Sequence, residues 1–318
     1  MIRWGLCCHF LDAPIKFRTA THRYVASLES RVGRRYLSEI ARHNGQALVA
    51  AVEHCHDLGI GAFRITSQIL PLATHPVSGY GLELLDPTGE IETTFRLAGD
   101  LARMHGVRLS FHPDQFIVLN SAHEAVAQSA VGELELQGSL AELVDADAIV
   151  LHAGGAMGGI PLALDRLRLG LSRLSPTTRA RLALENDDRQ FSPADLLPVC
   201  REESVPLVYD VHHHRCHPDG LTVEEATELA AETWDGREPW CHLSSPKDGW
   251  SSSNPRPHAD YIDPADFPDA WRDRTMTIDI EAKAKERAVL AVKEERGARQ
   301  TYPNTGGKTI TTSAAHRA

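Results

Sequence analysis

Residues 181–188 read Arg-Leu-Ala-Leu-Glu-Asn-Asp-Asp, a short apolar run that stops on a carboxylate. Such a run suits a strand covered on both faces, because strands of that kind read as continuous apolar stretches. A carboxylate at its end is costly unless a counter-charge or a metal ion meets it. The same grammar recurs along the chain. Arg108–Phe111 runs into His112, and Ala148–Leu151 into His152. Leu207–Tyr209 ends on Asp210, with His213 shortly after. Trp240–Cys241 leads into His242, and Met276–Ile280 into Glu281. These strand ends predict one shared site, since a parallel barrel presents all its strand ends at one mouth. The expected fold is α/β, a single (β/α)8 TIM barrel with a polynuclear metal site at the C-terminal mouth of the strands.

The rest of the chain fits that alternation. Ile2–Leu6 and Gly61–Ile65 read as the first two strands, and Val107, Val205 and Thr275 extend later ones. Gly45–Leu58 has helical spacing and stops before Gly59, and Ile91–His105 stops before Gly106. The stretch between the first strand and Gly45 reads as a long polar connection. A helix spans His123–Val144. Pro161 and the pair Ser192-Pro193 open helices, and Thr222 with Glu225 makes a capping box. Strands alternating with helices indicate a parallel sheet. The expected organisation is one domain over 1–295 and a flexible tail over 296–318, polar and rich in Gly and Thr near its end.

Composition excludes several classes. The 318 residues are 42% hydrophobic and 24% charged, the balance of a globular protein. No apolar run approaches the roughly 18 residues of a membrane span. No basic segment followed by an apolar one opens the chain, so a cytoplasmic protein without signal peptide is expected. The six cysteines form no CxxC pair, which suits reduced thiols. Cys7 and Cys8 read as small buried side chains. The net charge of −10 argues weakly against nucleic acid. Residues 1–44 oppose that trend: Arg3, Lys16, Arg18, Arg23, Arg31, Arg34, Arg35 and Arg42 face only Asp12, Glu29 and Glu39. Such an excess can bind phosphates. The glycines at 154, 155, 158 and 159 lack a following Lys-Ser/Thr, so they read as a close backbone turn and not a P-loop.

The candidate ligands are His112, His152, Glu185, Asp210, His213, His242 and Glu281, with His75 and His258 as additions from loops. Nitrogen and carboxylate donors without thiolate suit zinc, manganese or iron, and this many donors suffice for two or three ions. Clustered divalent ions suit phosphodiester hydrolysis. The same donors also serve a barrel isomerase or oxidase acting on a small molecule, which is the alternative reading.

Eight motifs resemble the UV-damage endonucleases, the UvdE/UvsE-type DNA repair enzymes. They are RITSQILPLATHP (64–76), SFHPDQF (110–116), LHAGGAMGG (151–159), ALENDD (183–188), YDVHHH (209–214), HLSSPK (242–247), HADYI (258–262) and IEAKAKE (280–286). They occur in family order across residues 1–290. The resemblance implies incision of damaged double-stranded DNA 5′ to UV photoproducts. It also implies a divalent cluster, manganese first, with zinc, magnesium or iron(II) as alternatives. By motif match the ligands fall on His75, His112, His152, Glu185, Asp210, His213, His242, His258 and Glu281, which picks His213 from the run 212–214. Glu185, His242 and Glu281 become the catalytic centre. Gln115 and Phe116 become the pair inserted at the lesion, and Lys247 a further DNA contact. The resemblance implies a monomer with no obligate protein partner, associated with the nucleoid when bound to DNA. Two positions depart from the family: Leu6 to Phe10 where members carry a Tyr and an Asn that contact damaged DNA, and Trp240 where some carry a Lys beside the metals.

Overall fold

Eight strands pair in parallel, each with the next, and the last closes on the first. They are β1 (Ile2–Cys7), β2 (Ala62–Ile65), β3 (Arg108–Phe111), β4 (Ala148–His152), β5 (Leu182–Glu185), β6 (Leu207–Asp210), β7 (Trp240–Leu243) and β8 (Met276–Ile280). The seam runs in register from Ile2↔Met276 to Leu6↔Ile280. This computed structural model describes residues 1–300. The expected barrel is therefore the observed one, with strand boundaries differing by one or two residues.

Side chains alternate along each strand, so every second residue points to the barrel axis. Ala62, Ala148, Val150, Ala183 and Val208 pack there around Trp240, and Trp234 belongs to the same cluster. Trp240 fills the axis one layer beneath His242 and is fully buried. That is where the position held by Lys in some relatives has gone: an indole in the apolar plug. Arg108 lies over its ring at 4.5 Å. Gly5 has no Cβ for a close-packing reason, because a Cβ there would run into Asp279 Oδ1. The residues between, such as Phe63, Ile65, Leu109 and Leu151, join the larger core beneath the helices.

The connection after β1 differs from its sequence reading. A helix begins at Ser30 and runs to Asp57, so the polar stretch before Gly45 is largely helical. Its buried positions Gly33, Leu37, Ile40, Ala41, Asn44 and Leu48 keep the helical period. Arg and Ser on the outer face, with a polar Asn inside the stripe, hid it. Asn44 is itself buried and ties the loop to the helix, accepting from Arg18 N and donating to Arg18 O and Ile69 O. The capping boxes at Ser192/Asp195 and Thr222/Glu225 are both formed. The last helix, Glu286–Gln300, runs across residue 295, and the remainder of the expected tail lies outside the described residues. Among the described residues no helix is long and apolar enough to cross a membrane.

Candidate metal centre

The strand ends converge. Three groups of potential ligand atoms, each within 4.8 Å of one another, form at the mouth: His112, His152 and Glu185; Glu185, Asp210 and His213; Asp210, His242 and Glu281. Adjacent groups share a carboxylate. Glu185 Oε2 lies 2.7 Å from His112 Nε2 and 3.7 Å from His152 Nε2. Its Oε1 lies 3.0 Å from His242 Nδ1 and 3.4 Å from His213 Nδ1. One carboxylate thus faces two sets of imidazoles, the posture of a bridging ligand.

The donors fit divalent ions on local grounds. Asp210 Oδ2 and His152 Nδ1 are buried without a hydrogen-bond partner. Buried orphans of this kind are rare and call for one. His112 Nδ1 donates to Pro113 O at 3.1 Å, which leaves Nε2 as the nitrogen that faces the other ligands. A backbone acceptor on the far nitrogen is how metal-binding imidazoles are commonly held. The charges are mutually adjusted. Burial alone would raise Glu185, but His152, His242 and His112 hold it well below the usual carboxylate range. Burial likewise opposes the ionised Glu281, and Arg64 and His242 overcome it, holding Glu281 well below that range. Burial lowers His152, with Glu185 opposing. Burial would lower His213 too, yet Asp210 and Glu185 hold it well above an ordinary imidazole.

The run 212–214 divides its labour. His213 faces the ligands. His214 is spent on Tyr209 Oη at 2.7 Å and Asp219 Oδ1 at 2.9 Å. His212 Nε2 meets Arg256 O at 3.1 Å. His258 stands at the rim, its Nδ1 3.6 Å from Glu281 Oε2. His75 falls outside the three groups. Its Nδ1 accepts from Val77 N and Ser78 N, and its ring stacks on His22 at 4.2 Å, which leaves Nε2 as its ligand atom. Asn186 clamps the backbone of Asp210 through both N and O.

Two charged residues of the centre escaped the sequence reading. Arg64 on β2 and Asp279 on β8 are buried and joined at 3.0 Å. Arg64 Nη1 also reaches Glu281 Oε1 at 2.6 Å. The available signal was a charged residue inside an apolar strand run, at a position whose alternation faces the axis.

A cavity of about 560 Å³ opens beside His112 and His152. One wall is Cys8, His9, Phe17 and Thr19, and the other is the loop from Pro113 to Phe116. Phe116 is 77% exposed, against the habit of aromatic side chains, and Gln115 beside it is exposed too. Lys247 is exposed on the loop after β7. Leu6 and Phe10 are not at this surface. Both are buried, Leu6 in the core and Phe10 stacked on Phe63 at 5.7 Å. Strand alternation turns Leu6 outward to the helices, and between it and Phe10 Cys8 is half-buried and His9 exposed. Cys7 is buried, and its thiol is pushed up by burial. Among the N-terminal basic residues, Arg3 sits at the opposite end of the barrel, paired with Glu238. Arg35 and Arg42 pair with Glu39 and Glu90. The glycine-rich loop after β4 is a close turn: Gly154 has φ +92°, and Asn120 bonds Gly155 N and O.

Comparison with known proteins agrees across the chain. The family described as UV-endonuclease UvdE matches residues 2–306. A UV DNA damage endonuclease of Bacillus velezensis is 33% identical over 92% of this chain and 91% of its own length. A UV-damage endonuclease of Schizosaccharomyces pombe is 35% identical over 82% of this chain and 44% of its own. The crystal structure of SacUVDE superposes with a TM-score of 0.82 at 26% identity, covering 94% of this chain and 99% of that one. Endonuclease IV from Thermus thermophilus shares the fold, with a TM-score of 0.59 at 16% identity over 93% of this chain and 99% of that one.

Proposed function

The chain belongs to the UV-endonuclease UvdE family, and from that premise we propose that it is a metal-dependent DNA repair endonuclease that incises damaged duplex DNA 5′ to UV photoproducts. The observation that carries the reading is the convergence of three ligand groups on Glu185 and Asp210 beside an exposed Gln115-Phe116 pair. His112, His152, Glu185, Asp210, His213, His242 and Glu281 would hold two or three divalent ions, manganese first, with His75 and His258 at the rim. Bound there, the ions supply a water of lowered pKa and a clamp on the phosphate.

The chain's own groups do the rest. Glu185 fixes the two halves of the ligand set at one spacing. His112 is oriented by the bond from Nδ1 to Pro113 O, and His213 is held over Asp210 and Glu185 by donating from Nδ1 to Asn186 O at 3.0 Å. Hydrolysis adds water across the phosphodiester, breaking one P–O bond, and His242 and Glu281, 3.5 Å apart, would act there with Glu185. A lesion weakens stacking, so the damaged step is cheaper to open. Phe116 would stack in the gap and Gln115 would bond there. Lys247, exposed on the loop after β7, would contact a phosphate. The protein would work as a monomer in the cytoplasm. The test is incubation of purified protein and Mn²⁺ with an end-labelled duplex bearing one defined photoproduct. Incision on its 5′ side is expected, and no incision with Mn²⁺, Mg²⁺ or Zn²⁺ would replace this reading with that of a small-molecule barrel enzyme.

A further inference from the structure

Arg64 has no task in that scheme, yet its guanidinium lies among the ligands. Nη1 donates to Glu281 Oε1 at 2.6 Å, Nε donates to Asp279 Oδ2 at 3.1 Å, and Nη2 lies 2.8 Å from His242 Nε2. A guanidinium donates only and has no acceptor. At that distance His242 Nε2 must offer its lone pair, which puts the ring hydrogen on Nδ1, where Glu185 Oε1 accepts at 3.0 Å. An imidazole that ligates through Nδ1 needs the reverse: lone pair on Nδ1 and a hydrogen on Nε2, given to an acceptor. Nδ1 is the atom that faces Glu281 Oε1 at 3.5 Å and Asp210 Oδ2 at 4.0 Å, the third ligand group. The acceptor for the reversed ring is already in place. Asp279 Oδ2 lies 3.8 Å from Nε2, and Asp279 Oδ1 has no partner.

We infer that Arg64 is a built-in cation that competes with a metal ion for the Asp210–His242–Glu281 group, so that this position fills last and most weakly. The inference rests on the metal-centre reading above. It follows from geometry on both sides. While the guanidinium holds Glu281 and His242, the ring presents a hydrogen and not a lone pair to the third position, and one of its carboxylates is already paired. For an ion to enter, Arg64 must withdraw onto Asp279 and the His242 hydrogen must move from Nδ1 to Nε2. The other two groups, built on His112, His152 and His213, take none of these bonds from Arg64 and feel it only through the carboxylates that adjacent groups share, Glu185 and Asp210.

The experiment counts metal, not turnover. Metal-free wild type, Arg64→Met and Arg64→Lys are titrated with Mn²⁺ by calorimetry, and bound Mn²⁺ is measured by elemental analysis after desalting. Wild type should retain two equivalents and show a weaker third step. Arg64→Met should retain the third, with that step strengthened by about tenfold or more, a change of about 1.4 kcal/mol. Arg64→Lys keeps the charge but loses the fork, so it should show a smaller gain of the same sign. It decides the matter if circular dichroism shows that Arg64→Met does not fold. Folded variants that bind no more Mn²⁺ than wild type, or a wild type that already retains three equivalents, overturn the competition alone. A wild type that takes up no Mn²⁺ overturns the metal-centre reading and the inference with it.

Discussion

Glu185 serves two sets of imidazoles with one carboxylate, so its loss has a predictable asymmetry. Glu185→Ala should reduce incision by about 100-fold or more, beyond the usual effect of losing a supporting contact, and elemental analysis should show the metal gone with it. The metal-free variant should still fold but melt lower than the metal-free wild type, because it leaves the imidazoles of His112, His213 and His242 without the buried carboxylate they face. Gln115→Ala and Phe116→Ala should each weaken binding to a lesion duplex by about 1–3 kcal/mol, as losses of base stacking do. Competition at fixed salt checks this, and equal losses on undamaged DNA would remove their role in reading damage. Leu6→Tyr now has a different expectation from one based on family position. Leu6 is fully buried, so the larger ring should cost stability by overpacking, about 1–3 kcal/mol, and gain no DNA contact. The ligands were legible because they end apolar runs. Arg64 and Asp279 were not, because each sits inside a run and only alternation around a closed barrel turns both to the axis.

Elements position these residues through contacts that sequence shows poorly. β5, which carries Glu185, is entered from the turn Pro176–Arg179, and that turn hangs on Glu135 of the helix Glu124–Leu143. Glu135 accepts from Ser175 N at 2.6 Å, Ser175 Oγ at 2.7 Å and Thr178 Oγ1 at 2.9 Å. Burial works against its charge, but these three bonds hold Glu135 below the usual carboxylate range. A depressed folded pKa contributes stability above the unfolded value of about 4.3 and loses it as pH falls through the folded value. Glu135→Ala should therefore lower stability by about 1–3 kcal/mol at neutral pH. Urea melts should show the gap to wild type closing below about pH 4. Strands and capped helices were readable from runs, glycines and capping pairs. The helix Ser30–Asp57 was half missed, since its exposed face carries the Arg and Ser that also mark loops. Its buried Asn44 earns its place through a loop remote in sequence, which no local pattern reveals.

The barrel carries charge at both ends, with the candidate ligands at the mouth. Arg3, Arg108, Glu238 and Thr277 form a bonded layer at the bottom of the barrel. Above it lies the plug around Trp240, and above that the ligands. Ions that bind only the folded state should raise the thermal midpoint, by a stabilisation of about 2.7 kcal/mol at a hundredfold excess over Kd, and a chelator should reverse it. Calorimetric scans with and without Mn²⁺ check this, and an unchanged midpoint would contradict a metal-filled mouth. The plug has an optical consequence. Trp240 lies two residues below His242 on the same strand face, a rise of roughly 6.5 Å along the strand. A paramagnetic ion at that range quenches indole emission, whereas a closed-shell ion such as zinc does not. The protein thus carries a fluorophore beneath its candidate metal centre, and a loss of light on adding manganese that shrinks in Trp240→Phe would read out the filling of the mouth in real time, with Trp250 beside His212 supplying the remainder.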